Sequence, residues 1–266
     1  MKIFDFFGLS ANPFGESSSS ESSSPDAVLS DARFLSALEP LTVLPQIGTL
    51  ATLTGRTGVG KTTLVHQLMI RWQEVNDVHY LHLGNLRSTG LLRALLGTLG
   101  EKPRLGKDRM FEQLYAHLAR KQRPLCLVMD EAQLLDATTL TDLRILSAHP
   151  SRSHRLVLLL CGQPMLERQL QAESLTDLRE RVALHAHLSS MQPAETIHYV
   201  RHRLRVAGGR EDIFDEPALK MLHLHSDGVP RRVNQLALKA LMNAWDTKKK
   251  QVNEKTLREA CAADRS

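Results

Sequence analysis

Eight residues from Gly55 to Thr62, reading GRTGVGKT, place two glycines, a lysine and a hydroxyl in the order G-x-x-x-x-G-K-[ST], with a third glycine, Gly58, between them. Glycines at those positions let the chain turn tightly and bring successive main-chain N–H groups against phosphate oxygens. A helix opening at the lysine adds a field that favours an anion. In such a loop Lys61 reaches the β- and γ-phosphates of ATP, and Thr62 offers its hydroxyl to Mg²⁺. The nucleotide-binding set is therefore Gly55, Arg56, Thr57, Gly58, Val59, Gly60, Lys61, Thr62 and the adjoining Thr63.

A second group of reactive residues closes an apolar run. Leu125 to Met129 is followed directly by Asp130 and Glu131, within LCLVMDEAQ. Two carboxylates at the end of a buried strand are costly unless they serve a cation or a reaction. Asp130 is expected to hold the Mg²⁺ shell together with Thr62, and Glu131 to polarise the attacking water as general base. The pair favours a hydrolase over a small-molecule kinase, since no phosphoryl-acceptor site is evident. A third apolar run, Leu156 to Cys161, ends in Gly162 and Gln163. On a strand beside the one carrying Asp130, Gln163 either contacts the γ-phosphate or the lytic water, or simply ends the strand.

Two basic clusters complete the chemistry. Arg179 and Arg181 lie in LRERV, just before the last strand candidate, and Arg231 and Arg232 lie in GVPRRVN, opening a late helix. An arginine in the first cluster can reach a neighbouring subunit's nucleotide, because a guanidinium suits the spread charge of a transferring phosphoryl group. An arginine in the second can close over the γ-phosphate and couple helix position to nucleotide state. The alternative for the first cluster is an ordinary solvated helix end, and for the second a capped surface helix. The i, i+2 histidine pairs His185/His187 and His223/His225 have no third ligand nearby, and ordinary placement is the expectation.

These residues need a scaffold, and the hydrophobic pattern supplies one. Strands are expected at Leu50 to Thr54, Val78 to Leu83, Leu125 to Met129, Leu156 to Leu160 and Val182 to Leu188. Helical spacing covers 27–38, 65–72, 91–99 and 110–120. Alternation of this kind predicts an α/β fold, a parallel sheet flanked by helices. From about Gln192 strand signals cease, and Pro193 to Val206, Glu216 to His225, Arg231 to Trp245 and Asn253 to Ala262 read as a helical lid. The expected divisions are an N-terminal segment with a Ser-rich linker at 1–26, a nucleotide-binding core at 27–190 and the lid at 191–266. The segment Ile3 to Phe14, rich in phenylalanine, is expected to pack on the core or on a neighbouring subunit. The stretch GESSSSESSSP that follows reads as a flexible connector.

Composition narrows the function classes. The 266 residues carry a net charge of +5, which is compatible with a nucleic-acid partner without requiring one. The apolar runs are too short to span a bilayer, and the N-terminus lacks the apolar stretch of a secretory signal. The chain thus reads as soluble and cytoplasmic, with no membrane partner. Its three cysteines, Cys126, Cys161 and Cys261, form no disulfide or zinc pattern and read as small buried hydrophobes.

Taken together, FFGLSANPF at Phe6 to Phe14, the phosphate loop, DEAQ at Asp130 to Gln133, GQP at Gly162 to Pro164, LRERV, YVRHRLRVAG at Tyr199 to Gly208 and GVPRRVN resemble the ExeA/GspA-type branch of AAA+ ATPases. The resemblance runs over nearly the whole chain. It implies an AAA+ core with a C-terminal helical lid, Gln163 at the sensor 1 position, Arg181 at the arginine-finger position and Arg231 at sensor 2, with Arg179 and Arg232 as their close rivals. It also implies ATP-dependent assembly into rings or helical filaments, with the active site at the subunit boundary. Relatives that assemble secretion machinery usually continue beyond the lid into a membrane span, whereas this sequence stops at Ser266. On that ground it looks more like the transposition ATPases of TnsC/TniB type, which bind duplex DNA as oligomers and recruit or activate a transposase. Assembly of a secretion or pilus apparatus is the alternative expectation.

Overall fold

The structure, a computed structural model, describes residues 2–15, 31–84, 88–147 and 156–262. Along the chain the first elements are α1 (Ile3–Phe6), α2 (Ala32–Thr42), α3 (Leu44–Ile47), β1 (Leu50–Thr54), α4 (Lys61–Gln73), β2 (Asp77–His82), α5 (Ser88–Thr98), α6 (Lys107–Arg120) and β3 (Leu125–Asp130). They continue with α7 (Ala137–Ser147), β4 (Leu156–Gly162), α8 (Met165–Leu170), α9 (Thr176–Arg179), β5 (Val182–His187), α10 (Pro193–Val206), α11 (Glu216–Ser226), α12 (Pro230–Asp246) and α13 (Glu254–Ala262). The Ser-rich stretch and the first residues of the helical pattern at 27–38 lie outside the described residues. The chain forms two compact units, one of Phe34–Thr57 with Leu64–Leu188, the other of Met1–Arg33, Gly58–Thr63 and Ser189–Ser266.

The first unit is built on one parallel sheet of order β2-β3-β4-β1-β5. Its central strands β3, β4 and β1 are buried at every position, as a parallel sheet covered on both faces requires, and this explains their near-continuous apolar sequences. The outer strands β2 and β5 are only partly buried and carry the polar residues. Across β1 and β5 the register sets His185 beside Thr52 and His187 beside Thr54, with ring-to-hydroxyl distances of 3.1 and 3.0 Å. That pairing accounts for the i, i+2 spacing of these histidines, since alternate strand residues share a face. Helix α7 occupies a stretch for which the hydrophobic pattern indicates no element. It buries Leu140, Leu143 and Leu146, and Asp136 opens it by accepting from the N–H of Thr139 at 2.7 Å. The Trp72 indole donates to the carbonyl of Thr42 at 3.2 Å, fastening α4 to the end of α2. All three cysteines are buried, and burial pushes the Cys126 thiol up to about 12, which leaves it unreactive.

The second unit has its own core, formed by α10 to α13 and by Phe7, Leu9 and Phe14 of the N-terminal segment. Helix α10 opens with a reciprocal capping box between Gln192 and Glu195, and α11 with Asp215 accepting from Ala218 at 2.8 Å. The N-terminal phenylalanines join these helices. Phe14 meets Phe214 edge-to-face at 6.0 Å, Lys250 sits 3.9 Å over the Phe6 ring, and the Arg203 guanidinium donates to the carbonyls of Pro13 and Gly15 at 2.5 and 2.9 Å. Residues 2–15 thus complete the helical unit, although nearly 180 residues of chain lie between them and α10. Sequence spacing cannot reveal such a pairing.

Candidate functional site

Within the sheet unit, the carboxyl ends of the central strands carry the reactive groups. Asp130 ends β3 and is 5% exposed. Its two oxygens accept from the Glu131 N–H at 2.9 Å and from the Tyr80 hydroxyl at 2.7 Å. Burial, and then the bond to Asp130, raise the Tyr80 phenol well above its ordinary value, so it remains a donor at any working pH. Glu131 stands in the left-handed region, with φ 60° and ψ 34°. A non-glycine residue there is uncommon and costs about 1–3 kcal/mol. The turn closes the main chain onto Asp130 and opens the short 3₁₀ turn Ala132–Leu134. The Gln133 amide then donates to Glu131 Oε2 at 2.5 Å. Glu131 Oε1 makes no hydrogen bond to any described residue.

Gln163 follows β4, and its N–H donates to Gln133 Oε1 at 3.0 Å. Its own side-chain amide bonds to no described residue. The N–H of Gly55, first of the phosphate loop, donates to the Gly162 carbonyl at 3.2 Å. β1, β3 and β4 therefore deliver Gly55, the Asp130/Glu131 pair and Gln163 to one end of the sheet. Thr54, just before the loop, donates to the Glu167 carboxylate and also meets His187.

Of the two arginines beside β5, Arg179 is tied back to Gln171, with its guanidinium 3.2 Å from the side-chain oxygen. Arg181 is exposed, and its guanidinium has no hydrogen-bond or ion-pair partner among the described residues. Among the described residues the two guanidinia therefore differ in what they touch.

The helical unit holds the later part of the loop, Gly58–Thr63. Gly58 and Gly60 adopt φ of 82° and 107°, values that L side chains rarely reach. A Cβ on Gly58 would also lie 2.8 Å from the Cβ of Arg231. The Gly58 carbonyl accepts from the Arg231 N–H at 3.2 Å, and the Val59 carbonyl from the Arg33 guanidinium at 3.1 Å. Both carbonyls are thus engaged by donors, the arrangement a phosphate-binding loop needs if its N–H groups are to serve an anion. Lys61 begins α4, four residues earlier than the apolar spacing indicates, and is 8% exposed. Thr62 and the side chains of Arg56 and Thr57 are exposed, and Thr63 is partly so. Arg231 is exposed, and its guanidinium bonds to no described residue, whereas Arg232 pairs with Asp227 at 3.2 Å. Helix α12 itself starts at Pro230, whose missing N–H costs nothing at that position.

Thr62 and Asp130 are hard oxygen donors suited to Mg²⁺. Among the described residues Asp130 accepts two hydrogen bonds, leaving lone pairs for a metal or its water. Among the described residues no group of three or more His, Cys, Asp or Glu could hold a metal ion, and no helix is long and apolar enough to cross a membrane. Sequence reasoning assigned no role to Tyr80, Gln133, Glu167 or Arg33. Only Gln133 left a sequence signal, through its place in DEAQ.

Comparison with known proteins places this geometry. Residues 48–170 match the AAA domain family. General secretion pathway protein A of Aeromonas hydrophila is 33% identical over 249 residues, covering 90% of this chain and 44% of that protein. The chain therefore spans less than half the length of this curated relative. Among solved structures, the ADP form of the Aeropyrum pernix ORC2 protein superposes with a TM-score of 0.66 at 20% identity, covering 94% of this chain and 71% of that one. The Thermotoga maritima RuvB Holliday junction branch migration motor gives 0.61 at 17% identity, over 87% and 67%. The Aeropyrum pernix ORC1 protein in complex with DNA gives 0.61 at 16% identity, over 90% and 67%. At these identities the structural likeness is one of fold.

Proposed function

Since the chain belongs to the ExeA/GspA-like branch of AAA+ ATPases, we propose that it binds Mg²⁺-ATP at Gly55–Thr63 and hydrolyses it with Glu131 as general base. The observation that carries this reading is Glu131 itself, a carboxylate set in a strained turn beside buried Asp130 with one oxygen held and the other unengaged. Lys61 and the loop N–H groups bind the phosphates, and Thr62 and Asp130 hold the Mg²⁺, which supplies charge neutralisation when bound. The Glu131 carboxylate orients a water and takes its proton as that water attacks the γ-phosphorus. Gln163 senses the γ-phosphate or the water, and Arg231 closes from α12. Arg181 serves a neighbouring subunit's nucleotide, so turnover requires a homo-oligomer, either ring or filament.

For the partner, we propose duplex DNA, bound by the ATP-loaded oligomer, which in turn recruits or activates a transposase from a cytoplasmic location. The net charge of +5 supports this, as does the fold shared with the Aeropyrum pernix ORC1 protein in complex with DNA. A second reading has a specific observation of its own. The 33% identity to a general secretion pathway protein favours an ATPase that assembles a secretion or pilus apparatus.

The deciding experiment measures ATPase rate and particle size with and without duplex DNA at two salt concentrations. Assembly that needs both ATP and DNA, and weakens steeply with salt, is the expected result. Intact ATPase activity with no response to DNA at low salt would overturn the DNA reading in favour of the secretion one.

A further inference from the structure

We propose that Gln133 is a positioning residue for the general base, joining Glu131 to the end of β4 through a single side-chain amide. This rests on Glu131 being the base. The two partners fix the orientation of the amide. An ionised carboxylate can only accept, so the NH₂ group faces Glu131 Oε2 at 2.5 Å. A main-chain N–H can only donate, so the amide oxygen faces Gln163 N at 3.0 Å. The main chain of Gln133 is held too, its carbonyl accepting from the Gln169 amide of α8 at 3.0 Å.

Space around this link is limited by a glycine. A Cβ on Gly162 would lie 2.7 Å from Gln133 Oε1, closer than such atoms approach. Gly162 is also the residue whose carbonyl receives the N–H of Gly55. One chain of contacts therefore runs from the first glycine of the phosphate loop, through Gly162 and Gln163, to Gln133 and Glu131. A shift at the end of β4 or at Gly55 is carried to Glu131 by hydrogen bonds rather than by loose packing. Because Gln133 occupies only Oε2, it fixes the rotamer of Glu131 and leaves Oε1 for the water. This is the arrangement in which a base is oriented by a third group.

The test is kinetic. Gln133→Ala is expected to lower kcat about 10- to 100-fold, with KM and the dissociation constant for ADP changed less than about twofold, since only a group acting in the chemical step is mispositioned. Gln133→Met keeps the length of the side chain but offers Glu131 no donor and the Gln163 N–H no acceptor, and should match the alanine variant. Should Gln133→Ala fail to fold, this near-isosteric variant carries the test. Gly162→Ala should lower kcat in the natural protein and cost little more in the Gln133→Ala background, because the oxygen it would strike is gone. Equal losses from Gly162→Ala in both backgrounds, or normal kcat in both Gln133 variants, would overturn the inference. Glu131→Gln, measured alongside, separates the two readings. Normal turnover by that variant removes the general base itself, whereas its inactivity beside normal Gln133 variants removes only the positioning role.

Discussion

The reactive end of the sheet shows how single residues are made fit for a task by what they touch. Glu131 alone is an ordinary carboxylate, and its left-handed turn and its bond to Gln133 make it a directed one. We expect Glu131→Gln to retain ATP while turnover falls about 10²- to 10⁴-fold, the usual contribution of a general base. Lys61→Ala should abolish nucleotide binding, which calorimetry with ADP will register. Tyr80 offers a separate test. Among the described residues its hydroxyl is the side-chain donor on Asp130, and partners of this kind tune metal ligands by about 10- to 100-fold in affinity. Tyr80→Phe should therefore raise the Mg²⁺ concentration for half-maximal ATPase about tenfold or more, while ADP binding without metal stays unchanged. An unaltered Mg²⁺ dependence would show that Asp130 does not hold the ion.

Elements matter here through which core they join. The N-terminal segment contributes Phe7, Leu9 and Phe14 to the same apolar cluster as α10 to α13. Phe14 is 4% exposed and packs on Phe214. Removing a buried aromatic ring leaves a cavity, and Phe14→Ala should destabilise the helical unit by about 3–5 kcal/mol, measurable as a lowered urea midpoint. A loss below about 1 kcal/mol, the range of ordinary surface changes, would mean that the segment only rests on the helices. The central strands raise a different point. β3 and β4 are apolar on both faces, so their identity is plain from sequence, yet Gly162 and Gln163 at the end of β4 acquire meaning only once Gln133 lies across them.

For the protein as a whole, the arginines decide whether the active unit is one chain or several. Arg179 is occupied by Gln171, while Arg181 is exposed and its guanidinium meets no partner among the described residues. If Arg181 serves a neighbour, Arg181→Ala should bind ATP normally and lose oligomer-dependent turnover. Mixing it with Lys61→Ala protein should then restore part of the rate, because each mutant supplies the group the other lacks. Absence of any rescue in mixed assemblies, shown to form by light scattering, would assign Arg181 a role within its own subunit. Arg179→Ala should change turnover little.

Much of this was legible before any coordinates. The phosphate loop, the carboxylate pair and the alternation of strands and helices follow from local pattern, because a loop that cradles phosphate and a strand buried on both faces each impose their residue types over a few consecutive positions. The boundaries of β1 and α10 agree with the pattern to the residue, and α4 starts earlier only because Lys61 and Thr62 form a polar first turn. Tertiary structure alone could tie Arg179 to Gln171 and Arg232 to Asp227, give His185 and His187 their threonines, join residues 2–15 to helices at the far end of the chain, and set Gln133 between Glu131 and Gln163. Those relations depend on strand order and on packing between distant segments, and one-dimensional periodicity carries no record of distance in space.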